Sequence, residues 1–278
     1  MVTCYLHPDR ETGRRCARCR RPVCLDCLLS FGVGAVCGRC YHRPGNLRSR
    51  IEDVLWIVRS IPYGPLVTLG LIAANTAVLV LQTRAAGAGL FDVNPGFRDG
   101  ALHAELIDSG ESWRIVSAGF VHADPGHLFS NMFALLLCGR LLEAALSRLQ
   151  LGLLYLVALM GGSLGALILD PFVYTAGASG AIFGLFAGGA LLLRTRGGSG
   201  GGVLWIVLGL SLSQNLVYTF LRDGVSVGGH VGGALVGLAA GAVMSEVGPA
   251  KRLPHHASAA LVFGMSWAVF AAALLAAG

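Results

Sequence analysis

Ser179 stands in Gly-Ala-Ser-Gly at 177–180 and His230 in Gly-Gly-His at 228–230, and each stretch opens an apolar segment. A hydroxyl and an imidazole within hydrogen-bond reach are the minimal pair for nucleophilic hydrolysis. The imidazole takes the proton as the oxygen attacks a carbonyl and returns it to the leaving amine. No acid lies near His230 in the sequence, so the expected unit is a dyad. A third opening, HADPGHLFSN, places His127 and Asn131 at i, i+4, on one helix face. With the Ser179 N–H at a helix start, these side chains are donors of the kind that neutralise an oxyanion. Plainer uses exist for each: Gly-Ala-Ser-Gly as small-residue packing, and His127 and Asn131 as interhelical glue. His122 either supports the oxyanion donors or is an ordinary interfacial histidine.

These groups cooperate only if their helices present the same end. The chain of 278 residues is 54% hydrophobic and 13% charged, outside the range of soluble globular proteins. It reads as an all-α polytopic membrane protein, with spans expected at about 65–82, 128–147, 150–169, 178–193, 203–221, 227–245 and 257–277, each long enough for a ~30 Å hydrocarbon core. Of the 21 Lys and Arg, 17 fall before the first span or in the connections after the second, fourth and sixth. Only Arg84, Arg98, Arg114 and Arg222 fall on the other side. The amino terminus is therefore expected in the cytosol and the carboxyl terminus outside, with no cleavable signal peptide in the Cys- and Arg-rich first forty residues. In that topology the second, fourth and sixth helices all enter from the outer face, and all the polar openings converge there. Gly180, Gly184 and Gly188 match the period of Gly229, Gly233, Gly237 and Gly241, two smooth faces that permit close backbone approach.

Seven of the eight cysteines precede residue 41, as Cys4-x2-His7, Cys16-x2-Cys19, Cys24-x2-Cys27 and Cys37-x2-Cys40. Four such knuckles make two tetrahedral structural zinc sites, and a cytosolic location disfavours the alternative of a disulfide framework. The spacing resembles B-box and related cross-braced zinc fingers. On that resemblance Cys4, His7, Cys24 and Cys27 hold one ion and Cys16, Cys19, Cys37 and Cys40 the other, with His42 as a spare ligand. About forty residues bury little core, so metal supplies most of the folding energy. The surrounding arginines read as a topogenic and anionic-lipid feature in preference to a nucleic-acid site, and the head as a contact for a cytosolic protein partner. Residues 48–59 carry Ile51, Val54, Leu55 and Val58 at helical spacing, a short surface helix. The expected domains are a zinc-binding head at 1–45, an amphipathic linker at 46–64 and a membrane domain at 65–277.

The residues of 65–245 resemble the rhomboid family of intramembrane serine proteases. The resemblance rests on Ser179 in Gly-Ala-Ser-Gly beginning at Gly177, His230 with its glycine repeat, His127-x3-Asn131 preceded by His122, and Trp113-Arg114 in the long first outer loop. It implies a six-helix core with the seventh helix as an addition. It also implies Ser179 as nucleophile, His230 as base, His127 and Asn131 as oxyanion donors, and no cofactor for catalysis. The Trp113-Arg114 loop is then expected partly in the outer leaflet, and a mobile fifth helix or its cap admits substrate. The implied substrates are single-span membrane proteins cut near the outer membrane interface. Phe183 stands where many members carry a tyrosine stacked on the catalytic histidine; the stacking is kept and the hydroxyl is lost.

Other chemistries fit less well. There is no His-Glu-x-x-His for a metalloprotease and no mid-helix Asp for a carboxylate pair. A metal site made of His122, His127 and His230 is the weaker use of those side chains. A transporter would spread polar groups along a path, whereas here they gather at one end. The remaining alternative is a rhomboid-like protein that binds membrane clients without cutting them. The excess of arginine over the single Lys251 suggests a GC-rich genome and a bacterial inner membrane.

Overall fold

The computed structural model describes residues 2–16, 19–31, 34–41, 65–89, 92–143, 146–195, 226–245 and 255–278. The expected surface helix at 48–59 and the fifth span at 203–221 lie outside the described residues.

In the head, β1 (Val2–Thr3) pairs antiparallel with β2 (Glu11–Thr12), and β3 (Leu28–Phe31) with β4 (Gly34–Cys37), in the register Leu28↔Cys37 to Phe31↔Gly34. A single-turn helix, α1 (Gly38–Tyr41), follows. The buried centre is Cys16, Val23 and Cys37, with Tyr5 and Leu28 packed against it. A core of this size, among the described side chains, does not offset the cost of ordering the chain.

The membrane domain is helical. It begins with α2 (Leu66–Ala85), continues through a long connection carrying α3 (Phe97–Gly100), α4 (Ala104–Asp108) and α5 (Arg114–Ser117), and then forms α6 (Pro125–Glu143), α7 (Arg148–Leu169), α8 (Ser179–Thr195), α9 (Val227–Met244) and α10 (His255–Ala277). Helices thus occupy six of the seven stretches where spans are expected. The second begins at Pro125, not 128, and ends at Glu143, not 147. Asp124 caps it, its Oδ1 accepting the His127 N–H at 2.9 Å, and Pro125 takes the first helical position, where no donor is needed. Among the described residues, four helices, starting at Leu66, Arg148, Val227 and Ala257, are long and apolar enough to cross a membrane, and the apolar part of α8 is shorter. Helix α6 is 19 residues long and carries His127, Ser130, Asn131, Arg140 and Glu143.

Helix α7 is the central post. It touches α2, α6, α8, α9 and α10, and Leu154, Val157 and Ala158 on it are wholly buried. Its start is fixed by a capping box in which Ser147 and Gln150 satisfy each other's backbone N–H. Between helices that are apolar all round, lipid offers as good a surface as protein, so small residues decide which faces meet. A Cβ at Gly241 would lie 2.6 Å from Gly188 Cα, and one at Gly184 2.6 Å from the Gly233 carbonyl oxygen. The expected α8–α9 face is real. A second one, unforeseen, joins α9 to α7: a Cβ at Gly232 would meet Gly165 Cα at 2.8 Å.

The helix ends away from Ser179 and His230 also carry a polar cluster, contrary to the expectation that polar groups gather at one end. At the end of α6 the Glu143 carboxylate accepts the N–H groups of Val67 (2.9 Å) and Thr68 (3.2 Å) and the Thr68 hydroxyl (2.6 Å). It fills the N-terminal turn of α2, where N–H groups have no intrahelical partner and a negative charge is favoured. Replacing Glu143 with Ala is expected to lower the unfolding free energy in detergent by about 1–3 kcal/mol, and Glu143→Gln by less. Titration with a denaturing detergent, followed by circular dichroism, measures both; equal stabilities would remove the clamp.

Candidate active site

Ser179 is the first residue of α8 and His230 lies in the first turn of α9. Their Oγ and Nε2 are 2.8 Å apart. The His230 ring stacks on Phe183, with centroids 4.5 Å apart and planes 18° from parallel. Phe183, four residues after Ser179, lies on the same face of α8 and is buried. One helix therefore supplies both the hydroxyl that the imidazole meets and the ring that fixes its plane. An imidazole so held can take the serine proton while the oxygen attacks a carbonyl.

Opposite the pair stand His127 and Asn131. Gly177 has φ +123°, a conformation glycine alone adopts without strain. A Cβ there would lie 2.8 Å from His127 Cε1 and 3.9 Å from Asn131 Nδ2, so the bare backbone before Ser179 rests against both side chains. The Asn131 amide donates to the His127 carbonyl at 3.0 Å, which leaves its second N–H for another acceptor. His127, Asn131, Gly177, Ser179, Phe183 and His230 line one cavity of about 210 Å³. A carbonyl oxygen placed in it can face the two α6 donors while its carbon faces Ser179.

His122 is fully buried in the loop before α6. Its ring meets His127 edge-on at 5.0 Å, and its Nδ1 is 3.3 Å from the Phe120 carbonyl. Burial, with the neighbouring His127, holds His122 down to about 3, so its imidazole is neutral near pH 7. It buttresses His127 and is no charged participant. Among the described residues, His122, His127 and His230 do not form a cluster with metal-ligand spacing.

Trp113 and Arg114 do not reach the pair. Arg114 is buried, donates to Glu111 (2.7 Å) and to the carbonyls of Arg98 and Ala101 (2.8 Å each), and lies over the Trp113 ring. It pins the connection between α2 and α6, which in turn grips the segment before Ser179. Leu102 and Thr175 exchange backbone hydrogen bonds of 2.8 and 3.0 Å, and the Gly177 N–H donates to Ala118 at 2.8 Å. Asn94 ties the same loop to α2 and to the segment before α6 by donating to the Gln82 side chain and to the His122 carbonyl. These links join residues distant in sequence, and no motif announces them. Asp124 was findable: Asp-Pro at the head of an apolar run is a helix-start signature.

In the head, Cys4, His7, Cys24 and Cys27 form one cluster and Cys16, Cys19, Cys37 and Cys40 another, with the ligand atoms of each within 4.8 Å of one another. This is the cross-braced grouping. Cys19 and Cys37 sulfurs are 3.8 Å apart, the edge of a tetrahedron with metal–sulfur bonds of about 2.3 Å. Burial alone would push the Cys4 thiol up, but N–H groups of Cys24, Leu6 and His7 bring it down to about 6; Cys37 reaches the same value with help from Tyr5 and Cys40. The donor set thus fits a thiophilic divalent ion.

A helical membrane protein with a serine–histidine pair at the common end of its helices is the class this geometry defines. Residues 109–247, half of the chain, match the family model for the Rhomboid domain, and the chain belongs to the rhomboid family. It is similar to Rhomboid protease GluP of Bacillus subtilis (strain 168), at 33% identity over 155 residues, 52% of this chain and 28% of that protein. It also resembles two proteins of Arabidopsis thaliana: RHOMBOID-like protein 5, at 39% over 95 residues, 34% of this chain and 30% of the relative, and the mitochondrial RHOMBOID-like protein 6, at 32% over 152 residues, 50% and 46%. The matched stretch spans less than half the length of each of these relatives.

Metal analysis of the full-length protein in detergent is expected to give two zinc ions per chain, with none left after exhaustive chelation. Cys24→Ser should halve the content and leave the Cys16, Cys19, Cys37, Cys40 cluster loaded. One ion per wild-type chain would refute two independent clusters.

Proposed function

We propose that this protein is an intramembrane serine protease that hydrolyses peptide bonds of transmembrane substrates near the outer membrane face. The observation that carries the proposal is the 2.8 Å Ser179–His230 contact, with the imidazole stacked on Phe183 at the wall of the cavity. Ser179 Oγ attacks the scissile carbonyl as His230 Nε2 takes its proton. The tetrahedral oxyanion is met by the His127 ring, the Asn131 amide and the Ser179 N–H. The leaving amine then receives the proton from His230, and water repeats the sequence on the acyl-enzyme with Ser179 as leaving group. The Phe183 ring keeps the imidazole plane without a hydroxyl. His122 and Gly177 hold His127 and the nucleophile strand in register, and Trp113 and Arg114 anchor the outer loop.

The eight head ligands hold two structural zinc ions on this proposal, and no cofactor enters the catalysis. With the amino terminus in the cytosol of a bacterial cell, the head at 1–45 lies across the bilayer from Ser179 and serves as a contact for a cytosolic protein partner; residues 46–64 link it to the membrane domain at 65–277. GluP, a relative named as a protease, supports the assignment of activity.

The test is labelling of membranes with a fluorophosphonate probe, together with cleavage of a single-span test substrate in liposomes. Ser179→Ala and His230→Ala are expected to abolish both while the circular dichroism spectrum is unchanged. Cleavage by either variant would sink the dyad, and an intact fold without wild-type cleavage would place the chain with the non-proteolytic client-binding proteins. Asn131→Ala is expected to lower kcat by about ten- to a thousandfold, since one oxyanion donor is worth about 2–4 kcal/mol. An unchanged kcat would return Asn131 to helix packing.

A further inference from the structure

Asp170 ends α7, and its carboxylate turns toward the start of α9. Oδ2 accepts the Ser226 hydroxyl at 2.7 Å and the Gly228 N–H at 3.1 Å. Ser226 Oγ in turn accepts the Gly229 N–H at 2.8 Å as the N-cap of α9. A continuous chain therefore runs from Gly229 through the Ser226 hydroxyl to the carboxylate, and His230 is the next residue. The Gly165–Gly232 backbone contact lies beside this chain, so α7 and α9 are held at this end by packing and by a charge-assisted clamp.

From the same residue the polypeptide leaves for Ser179. The connection 171–178 is fastened to the outer loop through Pro171, Thr175 and Gly177, whose backbone groups bond Ala104, Leu102 and Ala118. Asp170 thus stands where the two halves of the dyad diverge, the nucleophile along the chain and the imidazole across the clamp. The N-terminal turn of a helix carries N–H groups with no partner and a partial positive charge. A carboxylate bonded to two donors there is stronger than a neutral acceptor and directional. The residues joined are 56 and 58 positions apart, so no local pattern reports the contact.

We propose that Asp170 is a positioning residue: its carboxylate fixes the first turn of α9 and so holds the His230 imidazole at bonding distance from Ser179 and flat against Phe183. It touches no substrate. This rests on the assignment of Ser179 and His230 as the catalytic pair, and the experiment separates the two.

The full-length protein in detergent is labelled with a fluorophosphonate probe over a range of probe concentrations. Wild type should label and Ser179→Ala should not; failure there would overturn the dyad and leave the clamp to the second measurement. Asp170→Ala is expected to lower the maximal labelling rate by about ten- to a hundredfold, with half-saturation within about twofold, because a base displaced by an ångström still permits binding. Asp170→Asn, whose amide oxygen accepts both bonds, should recover the rate to within about threefold of wild type. In the second measurement, protein with 13C-labelled histidine rings is observed by NMR, with His230 assigned by its loss in His230→Asn. The Phe183 ring current marks the His230 signal, which should move toward its solvent position in Asp170→Ala and stay in Asp170→Asn. Should Asp170→Ala not fold, Ser226→Ala removes one donor of the clamp and should shift the signal in the same direction by less. An unmoved His230 signal in these variants, or a rate loss that Asp170→Asn does not restore, would overturn the proposal.

Discussion

A hydrogen bond of 2.8 Å between a serine and a histidine on different helices, both side chains short, requires two backbones closer together than ordinary side chains permit. Everything else in the membrane domain answers to that constraint. Gly180, Gly184 and Gly188 on α8 lie against Gly233, Gly237 and Gly241 on α9, and a Cβ on any of them would meet backbone atoms. Because the helices are apolar all round, no hydrophobic face chooses their register; the row of bare backbones does. Slipping one helix by a residue would put side chains into this row and part Ser179 from His230. The α7 contacts through Gly161 and Gly165 extend the same principle to the third helix, which makes the glycine content a condition of the site.

Polar groups in a poorly hydrated setting must find partners within the protein, and here those partners also position the site. Asp124 starts α6 and so orients His127; Asn94 ties the loop before it; Arg114 pins the connection between α2 and α6; Asp170 grips the start of α9. At the opposite end Glu143 closes α2 onto α6. Each of these either fills a helix N-terminal turn or ties down loop carbonyls, places where backbone groups lack helical partners. The requirement to satisfy the backbone and the requirement to aim the side chains of the proposed dyad are met by the same residues.

The head follows a different logic. Among the described side chains the head buries mainly ligand sulfurs and Val23, so the clusters replace the core that so short a chain cannot build. Interleaving the knuckles makes each cluster bridge two segments about twenty residues apart.

Much of this was legible in the chain itself. Apolar length set the described helices to within a few residues, because crossing hydrocarbon requires a run of fixed size, and Cys-x2-Cys spacing announced the ligands, because a metal knuckle needs two donors one turn apart. Chemical type and helix parity placed Ser179, His230, His127 and Asn131 at one end. What the sequence could not supply was the set of contacts between segments. The α7–α9 glycine face, the Leu102–Thr175 bridge, the Glu143 clamp and the Asp170 clamp join residues tens of positions apart, with nothing periodic between them. A residue's type states what chemistry it can do; only the packed helices decide which partner comes within 3 Å, and that distance is what turns a serine and a histidine into a site.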